Sequence, residues 1–93
     1  MNGQLAIAAT DLSEPADMAL GRVMSVLAGL KPLSAEFNPT ARLADVGFSS
    51  VDMVKVMLAI EAEFDLMIPQ PDITPENFGS ARSIAAMMAR LTG

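Results

Sequence analysis

The chain has 93 residues, of which 52% are hydrophobic, and its formal net charge is −5. This length fits one domain, and a composition rich in Ala, Leu and Met but without Trp or Tyr favours helices over strands. Because the chain has no cysteine and no histidine, disulfides, Cys-His and Ser-His nucleophiles and histidine metal sites are excluded. We therefore expect no catalytic residue, no metal site and no independent enzyme activity.

The acidic charge predicts the kind of partner. Nucleic acid binding needs clustered Lys and Arg, which this chain lacks, so we expect no nucleic acid partner and favour proteins with basic surfaces. Residues 1–12 have no basic residue and too short an apolar stretch for a secretory signal, and no segment reaches the roughly 18 apolar residues of a membrane span. We predict an N-terminal tail at 1–12, one domain at 13–92, and a cytoplasmic monomer without membrane insertion.

The first predicted helix runs from about residue 14 to residue 30. Ser13 is placed to cap it, Pro15 suits its first turn, and apolar residues recur along one face at Leu20, Val23, Met24, Leu27 and Leu30. The following connection, residues 31–49, is long enough that we expect it to cross the molecule from end to end. Four apolar residues are spaced to anchor it to the core: Leu33, Phe37, Leu43 and Val46.

Two further long helices are predicted. One runs from about Ser50 to Asp65, and its core line is Met53, Met57, Ile60 and Phe64. The other follows the capping residue Ser80 and has an apolar stripe at Ile84, Met87, Met88 and Leu91. Between them, residues 74–79 can form one short turn of helix, with Thr74 as cap and Pro75 as first residue. The predicted fold is all-α, a four-helix bundle with three longer helices and one short one.

Two serines at the start of the second long helix differ in their predicted roles. Ser49-Ser50-Val51-Asp52 matches a capping box, with Ser49 as N-cap and Asp52 three residues later. The hydroxyl of Ser50 is then free, at a helix start where unpaired N–H groups and a partial positive charge favour a phosphate ester. Ser50 is thus placed to carry a phosphodiester, although an ordinary double-serine cap fits the same pattern.

This helix also has a second apolar stripe, which starts beside Ser50. A helix on the surface of a small bundle needs only one stripe, so the second indicates a surface for docking another protein, unless the fold buries both. The predicted docking residues are the stripe and the charges around it: Val51, Asp52, Val54, Lys55, Leu58, Glu61 and Asp65.

The segment Asp45-Val46-Gly47-Phe48-Ser49-Ser50-Val51 resembles the phosphopantetheine attachment motif of acyl carrier proteins, typically Asp-x-Gly-x-Asp-Ser-Leu. Ala59-Ile60-Glu61-Ala62-Glu63-Phe64 and Ile68-Pro69 resemble the end of that family's second helix and the Ile-Pro that follows it. The resemblance covers about residues 14–92 and implies the four-helix fold of acyl-carrier type. It also implies that a phosphopantetheinyl transferase using Mg²⁺ moves 4'-phosphopantetheine from coenzyme A to Ser50. The arm would carry acyl groups as thioesters to separate acyl-loading and acyl-processing enzymes.

Two positions depart from the resemblance. Ser49 stands where the family usually has Asp, and Lys55 stands at a position that is often acidic. We therefore predict a specialised carrier for a dedicated fatty-acid, modified-lipid or polyketide pathway. Two alternatives remain open: a helical adaptor without modification, and a stand-alone carrier of the peptide-synthase type.

Overall fold

The computed structural model describes residues 15–93, which form three α-helices joined by two long connections. The helices are α1 (Pro15–Leu30), α2 (Ser50–Phe64) and α3 (Ala81–Thr92), and short 3₁₀ turns lie at Leu43–Val46 and Gln70–Asp72. This part of the chain contains no strand, so the predicted all-α class is confirmed. The predicted tail at 1–12 and the cap at Ser13 lie outside the described residues.

The core is built from aliphatic residues and methionine. α1 packs most extensively against α3 and less extensively against α2. The stripes predicted for α1 and α3 are confirmed at their centres, although Leu30 is exposed at the end of α1. The buried side chains are Ala19, Val23, Leu27, Leu43, Phe48, Val56, Ile60, Ile68, Ala81, Ile84, Ala85, Met87 and Met88. No charged or polar residue of the described chain is buried with them.

The buried face of α2 is turned away from the predicted line. Ile60 is fully buried as predicted, but Met53 and Met57 are half-buried, and the prediction missed Val56, which is fully buried. The rotation follows from the position of α1, which contacts α2 on the side of Val56. The adjoining side, which carries Met53 and Met57, borders a groove.

Two ion pairs show that α1 and α2 run antiparallel. At the middle of α1, the Nε of Arg22 lies 3.0 Å from the Oε2 of Glu63, close to the end of α2. Just after α1, the Nζ of Lys31 lies 3.4 Å from the Oδ2 of Asp52, in the first turn of α2. The connection 31–49 therefore returns to the end of the bundle that it left, and the prediction that it crosses the molecule is wrong.

The connection is held to the core at its second half. Leu43 is buried, and its N–H donates to the carbonyl oxygen of Gly79 at 2.9 Å. Phe48, which the sequence pattern did not select, is also buried. Val46 was predicted as an anchor, but it is exposed at the end of the 3₁₀ turn, just before Gly47.

The predicted short helix at 74–79 is a turn and not a regular helix. Thr74 does cap it, since its Oγ1 accepts from the N–H of Asn77 at 3.1 Å, and its carbonyl oxygen accepts from the N–H of Phe78 at 3.1 Å. Pro75 and Gly79 lie at the two ends of the segment, only a few residues apart, so the helix does not continue beyond one turn. Within residues 15–93 we find no helix with the length and apolar character of a membrane span.

Candidate functional site

The start of α2 is closed by a reciprocal cap. The N–H of Asp52 donates to the Oγ of Ser49 at 3.1 Å, and the N–H of Ser49 donates to the Oδ2 of Asp52 at 2.9 Å. Gly47 precedes this cap with φ 99°, a left-handed conformation that favours glycine, and so turns the chain from the 3₁₀ turn into α2. The predicted capping role of Ser49 is confirmed.

The carboxylate of Asp52 remains ionised in this arrangement. The hydrogen bond from the Ser49 backbone N–H lowers the pKa of Asp52 below its ordinary value of 3.8. Partial desolvation opposes this change, while the Ser49 hydroxyl and the Lys31 ammonium add to the lowering. The cap is therefore anionic and lies beside the partial positive charge of the helix start.

Ser50 is the first residue of α2, and it is exposed. Within residues 15–93 its hydroxyl has no hydrogen-bond partner, whereas the Ser49 hydroxyl is engaged by the cap. The N–H of Met53 makes the first bond of the helix, to the Ser49 carbonyl oxygen at 2.9 Å, and among residues 15–93 the N–H groups of Ser50 and Val51 have no acceptor. An exposed hydroxyl beside open N–H groups fits a phosphate ester.

A groove runs past Ser50 between α2 and the connection to α3. On one side of Ser50 it has a volume of about 470 Å³, and its lining is mostly apolar: Met53, Val54, Met57, Ile73, Thr74, Pro75 and Phe78. On the other side it continues as a space of about 610 Å³, with Arg42 and Glu76 among its lining residues. Sequence reasoning missed Ile73, Pro75 and Phe78, because only the path of the 65–80 connection brings them to α2.

The second apolar stripe of α2 is exposed, as predicted. The exposed fractions of Val51, Val54 and Leu58 are 66%, 54% and 56%, and Lys55 lies beside them, also exposed. The fold therefore does not bury both stripes. The role of these residues in docking stays a prediction.

The three acidic residues predicted for the same surface differ from one another in their exposure and in their contacts. Asp52 is half-buried, and its carboxylate is engaged by the cap and by Lys31. Glu61 is half-buried, and its Oε2 accepts from the backbone N–H of Ile68 at 2.9 Å. Asp65 is exposed and ends α2 in a left-handed conformation with φ 53°. No group of three acidic residues in the described part of the chain is arranged to hold a metal ion.

A small helical domain with a free serine at a helix start, an adjoining groove and an exposed apolar helix face is a carrier domain for a covalently attached group. The family described as "Phosphopantetheine attachment site" matches residues 21–91, and the chain belongs to this family. Its cofactor is covalently attached 4'-phosphopantetheine, as the sequence predicted.

Two relatives are aminoacyl carrier proteins of Bradyrhizobium diazoefficiens. Aminoacyl carrier protein 2 is 45% identical over 75 residues, which cover 77% of this chain and 84% of the relative. Aminoacyl carrier protein 1 is 46% identical over 70 residues, which cover 72% and 78%. This similarity confirms the carrier-protein family predicted from the motif at Ser50.

Two solved structures from Bradyrhizobium japonicum show the same fold. One contains glycine:[carrier protein] ligase with glycylated carrier protein, and the match has a TM-score of 0.68 and 44% identity, covering 75% of this chain and 97% of that one. The other contains the ligase with its cognate carrier protein and an analogue of glycyl adenylate, with a TM-score of 0.70, 42% identity and coverages of 82% and 99%. In both complexes the carrier protein is bound to a separate ligase, and this chain is likewise a carrier and not an enzyme.

Proposed function

We propose that this protein is an aminoacyl carrier whose 4'-phosphopantetheine is attached to Ser50 and is loaded by a separate amino-acid ligase. One observation supports Ser50 as the attachment site. Of the two adjacent serines, Ser49 uses its hydroxyl in the helix cap, whereas the Ser50 hydroxyl is exposed and has no partner among the described residues. Within the proposed carrier domain at 13–92, this serine also lies at the start of a helix, where a phosphate is favoured.

The attachment uses groups that the start of α2 provides. The Oγ of Ser50 forms the new bond to phosphorus, the pyrophosphate bond of coenzyme A breaks, adenosine 3',5'-bisphosphate leaves, and the serine proton passes to the transferase. The open N–H groups of Ser50 and Val51 would hold the phosphate oxygens. When bound, the group supplies a terminal thiol that holds the cargo as a thioester. This suits a chain that has no cysteine of its own.

The proposed cargo is an amino acid. Support comes from the aminoacyl carrier proteins, which are 45% and 46% identical to this chain over most of both lengths, and from a glycylated carrier with the same fold. A phosphopantetheinyl transferase and an amino-acid ligase are therefore the proposed partners, and we expect the carrier to be a monomer. The fatty-acid, modified-lipid and polyketide pathways stay alternatives, and membership in the phosphopantetheine family argues against an unmodified adaptor.

Intact-mass measurements test both parts of the proposal. The purified protein is incubated with coenzyme A and a phosphopantetheinyl transferase, and then with ATP, single amino acids and the glycine:[carrier protein] ligase of Bradyrhizobium japonicum. We expect the mass to rise by one phosphopantetheine and then by one aminoacyl group. Ser50→Ala should show neither increase, and Ser49→Ala, as the neighbouring control, should show both.

Two results would contradict the proposal. Modification of Ser50→Ala would show that the attachment site is elsewhere. A modified protein that takes no amino acid from the panel, but takes a fatty-acyl group from an acyl carrier synthetase, would show that the cargo is wrong while the attachment site is right.

A further inference from the structure

We infer that the carboxylate of Glu76 binds the α-ammonium of an aminoacyl cargo when the loaded arm lies along the groove beside Ser50. This inference rests on the proposed function, since it concerns the cargo that the arm carries. An aminoacyl group differs from an unsubstituted acyl group of the same length by its positively charged ammonium. A carboxylate beside the arm therefore favours the aminoacyl cargo by charge.

The groove beside Ser50 is continuous, and the arm begins within it. Four residues line both the apolar space of about 470 Å³ and the neighbouring space of about 610 Å³: Ser50, Met53, Pro75 and Phe78. Because the arm is attached to a residue that lines both spaces, it can enter either of them. The chemistry of the cargo then decides which space is occupied.

The two spaces differ in charge. Among residues 15–93, the lining of the apolar space includes no charged side chain, and Thr74 is its only polar residue besides Ser50. The lining of the neighbouring space includes two charged residues, Arg42 and Glu76. An ammonium that leaves water without a partner loses hydration free energy, so a cargo with this group favours the space with a carboxylate.

Of these two charged residues, Glu76 is the one whose charge is not offset. It is exposed, and within the described part of the chain its carboxylate makes no ion pair. The Nε of Arg42 lies 3.9 Å from the Oδ2 of Asp45, which reduces the repulsion between the guanidinium and an ammonium. The phosphodiester at Ser50 adds a second anion beside the space that Arg42 lines.

The backbone around Glu76 is held in place by the turn at 74–79. The Oγ1 of Thr74 accepts from the N–H of Asn77 at 3.1 Å, and the Nδ2 of Asn77 donates to the carbonyl oxygen of Asp72 at 2.8 Å. The N–H of Gly79 donates to the carbonyl oxygen of Glu76 at 3.4 Å. The turn therefore keeps Glu76 at the edge of the groove, while its carboxylate remains available to the cargo.

The expected interaction is modest because Glu76 is exposed. A nearby carboxylate stabilises the charged form of an amine and so raises the pKa of the ammonium. For an exposed pair we expect a rise of about 0.5. Since only the neutral amine is nucleophilic, this rise lowers the reactive fraction about threefold below the pKa and protects the cargo from attack by another loaded carrier.

An NMR titration of the loaded carrier tests this inference. Glycyl-coenzyme A with isotope-labelled glycine and a phosphopantetheinyl transferase attach the loaded arm to Ser50 in one step, so the ligase is not needed. The chain has no histidine, so no side chain with an ordinary pKa titrates close to neutral pH. We expect the pKa of the glycyl ammonium in wild type to be about 0.5 above its value in Glu76→Gln.

Asp65→Asn is the matched control. It removes the same charge from an exposed residue that is fifteen positions from Ser50, or about 22 Å along the axis of α2. This distance exceeds the Debye length of about 8 Å at physiological ionic strength, so the glycyl pKa should equal that of wild type.

Equal pKa values in wild type and Glu76→Gln would overturn the inference, and a value raised equally in both would assign the effect to the phosphodiester or to the net charge. A second measurement compares the backbone amide resonance of Glu76 with a glycyl and with a propionyl arm, which has a similar shape but no ammonium. We expect the resonance to differ, and an identical resonance would also overturn the inference. Failure of the ligase to load wild type would contradict the proposed function alone, because neither measurement uses the ligase.

Discussion

Replacing Ser49 with alanine tests whether the two adjacent serines contribute differently to the free energy of unfolding. The substitution removes the hydroxyl that accepts from the Asp52 N–H at 3.1 Å, but it leaves the reverse bond, from the Ser49 N–H to the Asp52 carboxylate at 2.9 Å. Loss of a serine N-cap costs about 0.5–2 kcal/mol, and we expect about 1 kcal/mol because half of the capping box survives. In a domain of this size that lowers Tm by about 4–8 °C.

Thermal unfolding followed by far-UV circular dichroism measures this loss, and Ser50→Ala is the matched control one residue away. The Ser50 hydroxyl is exposed and contacts no acceptor or donor among residues 15–93, so its removal should change the free energy of unfolding by less than about 0.5 kcal/mol. The modification assay should give the opposite order, because Ser49→Ala keeps the attachment serine and Ser50→Ala loses it.

The reasoning is refuted if the two variants exchange their effects. A Ser50→Ala protein that melts several degrees lower, with Ser49→Ala unchanged, would mean that Ser50 provides the cap. A Ser49→Ala protein that is stable but can no longer be modified would mean that the phosphopantetheine is attached at Ser49.

Three further predictions concern the rest of the fold. Because the pKa of Asp52 is lowered on folding, the unfolded chain binds more protons there. The stability that its carboxylate contributes is thus complete above the ordinary value of 3.8 and is lost as pH falls through the folded-state pKa. Melts across the acidic range should show wild type converging on Asp52→Asn, and a constant difference would contradict this. Gly47→Ala should destabilise by about 1–2 kcal/mol, since the position has φ 99°, whereas Gly21→Ala within α1 should stabilise by about 0.5–1 kcal/mol. At either glycine an added Cβ meets no atom within 4 Å, so only the backbone conformation distinguishes the two positions. Urea titrations in which both substitutions raise, or both lower, the free energy of unfolding would refute this reasoning. Val56→Ala removes two buried carbons and should lower the free energy of unfolding by about 2 kcal/mol, whereas Val54→Ala at the exposed face should lower it by less than about 0.5 kcal/mol. The same urea titrations measure both changes, and equal losses would place both residues in the core.

The features that were predicted correctly from the sequence depend on residues close together in the chain. The cap joins Ser49 to a residue three positions later, and the left-handed turn at Gly47 is a property of a single residue. Helical spacing alone identified the second stripe of α2 and the stripes of α1 and α3, whose centres are buried. These local rules were sufficient to place a free serine at a helix start, and the family was indicated by the resemblance of the motif around that serine.

Tertiary structure decided which side of α2 faces the core and which of its charges remain free. Arg22 and Glu63 are 41 positions apart in the chain, and only the antiparallel packing of α1 on α2 brings them to 3.0 Å. The same packing buries Val56 in place of the predicted methionine line, and the connection between α2 and α3 forms the apolar groove beside Ser50. Helical periodicity identifies the residues that share a face, but the contacts that cover a face come from distant segments. The free serine was therefore predictable from its neighbours in sequence, whereas the groove beside it is formed only by the packed bundle.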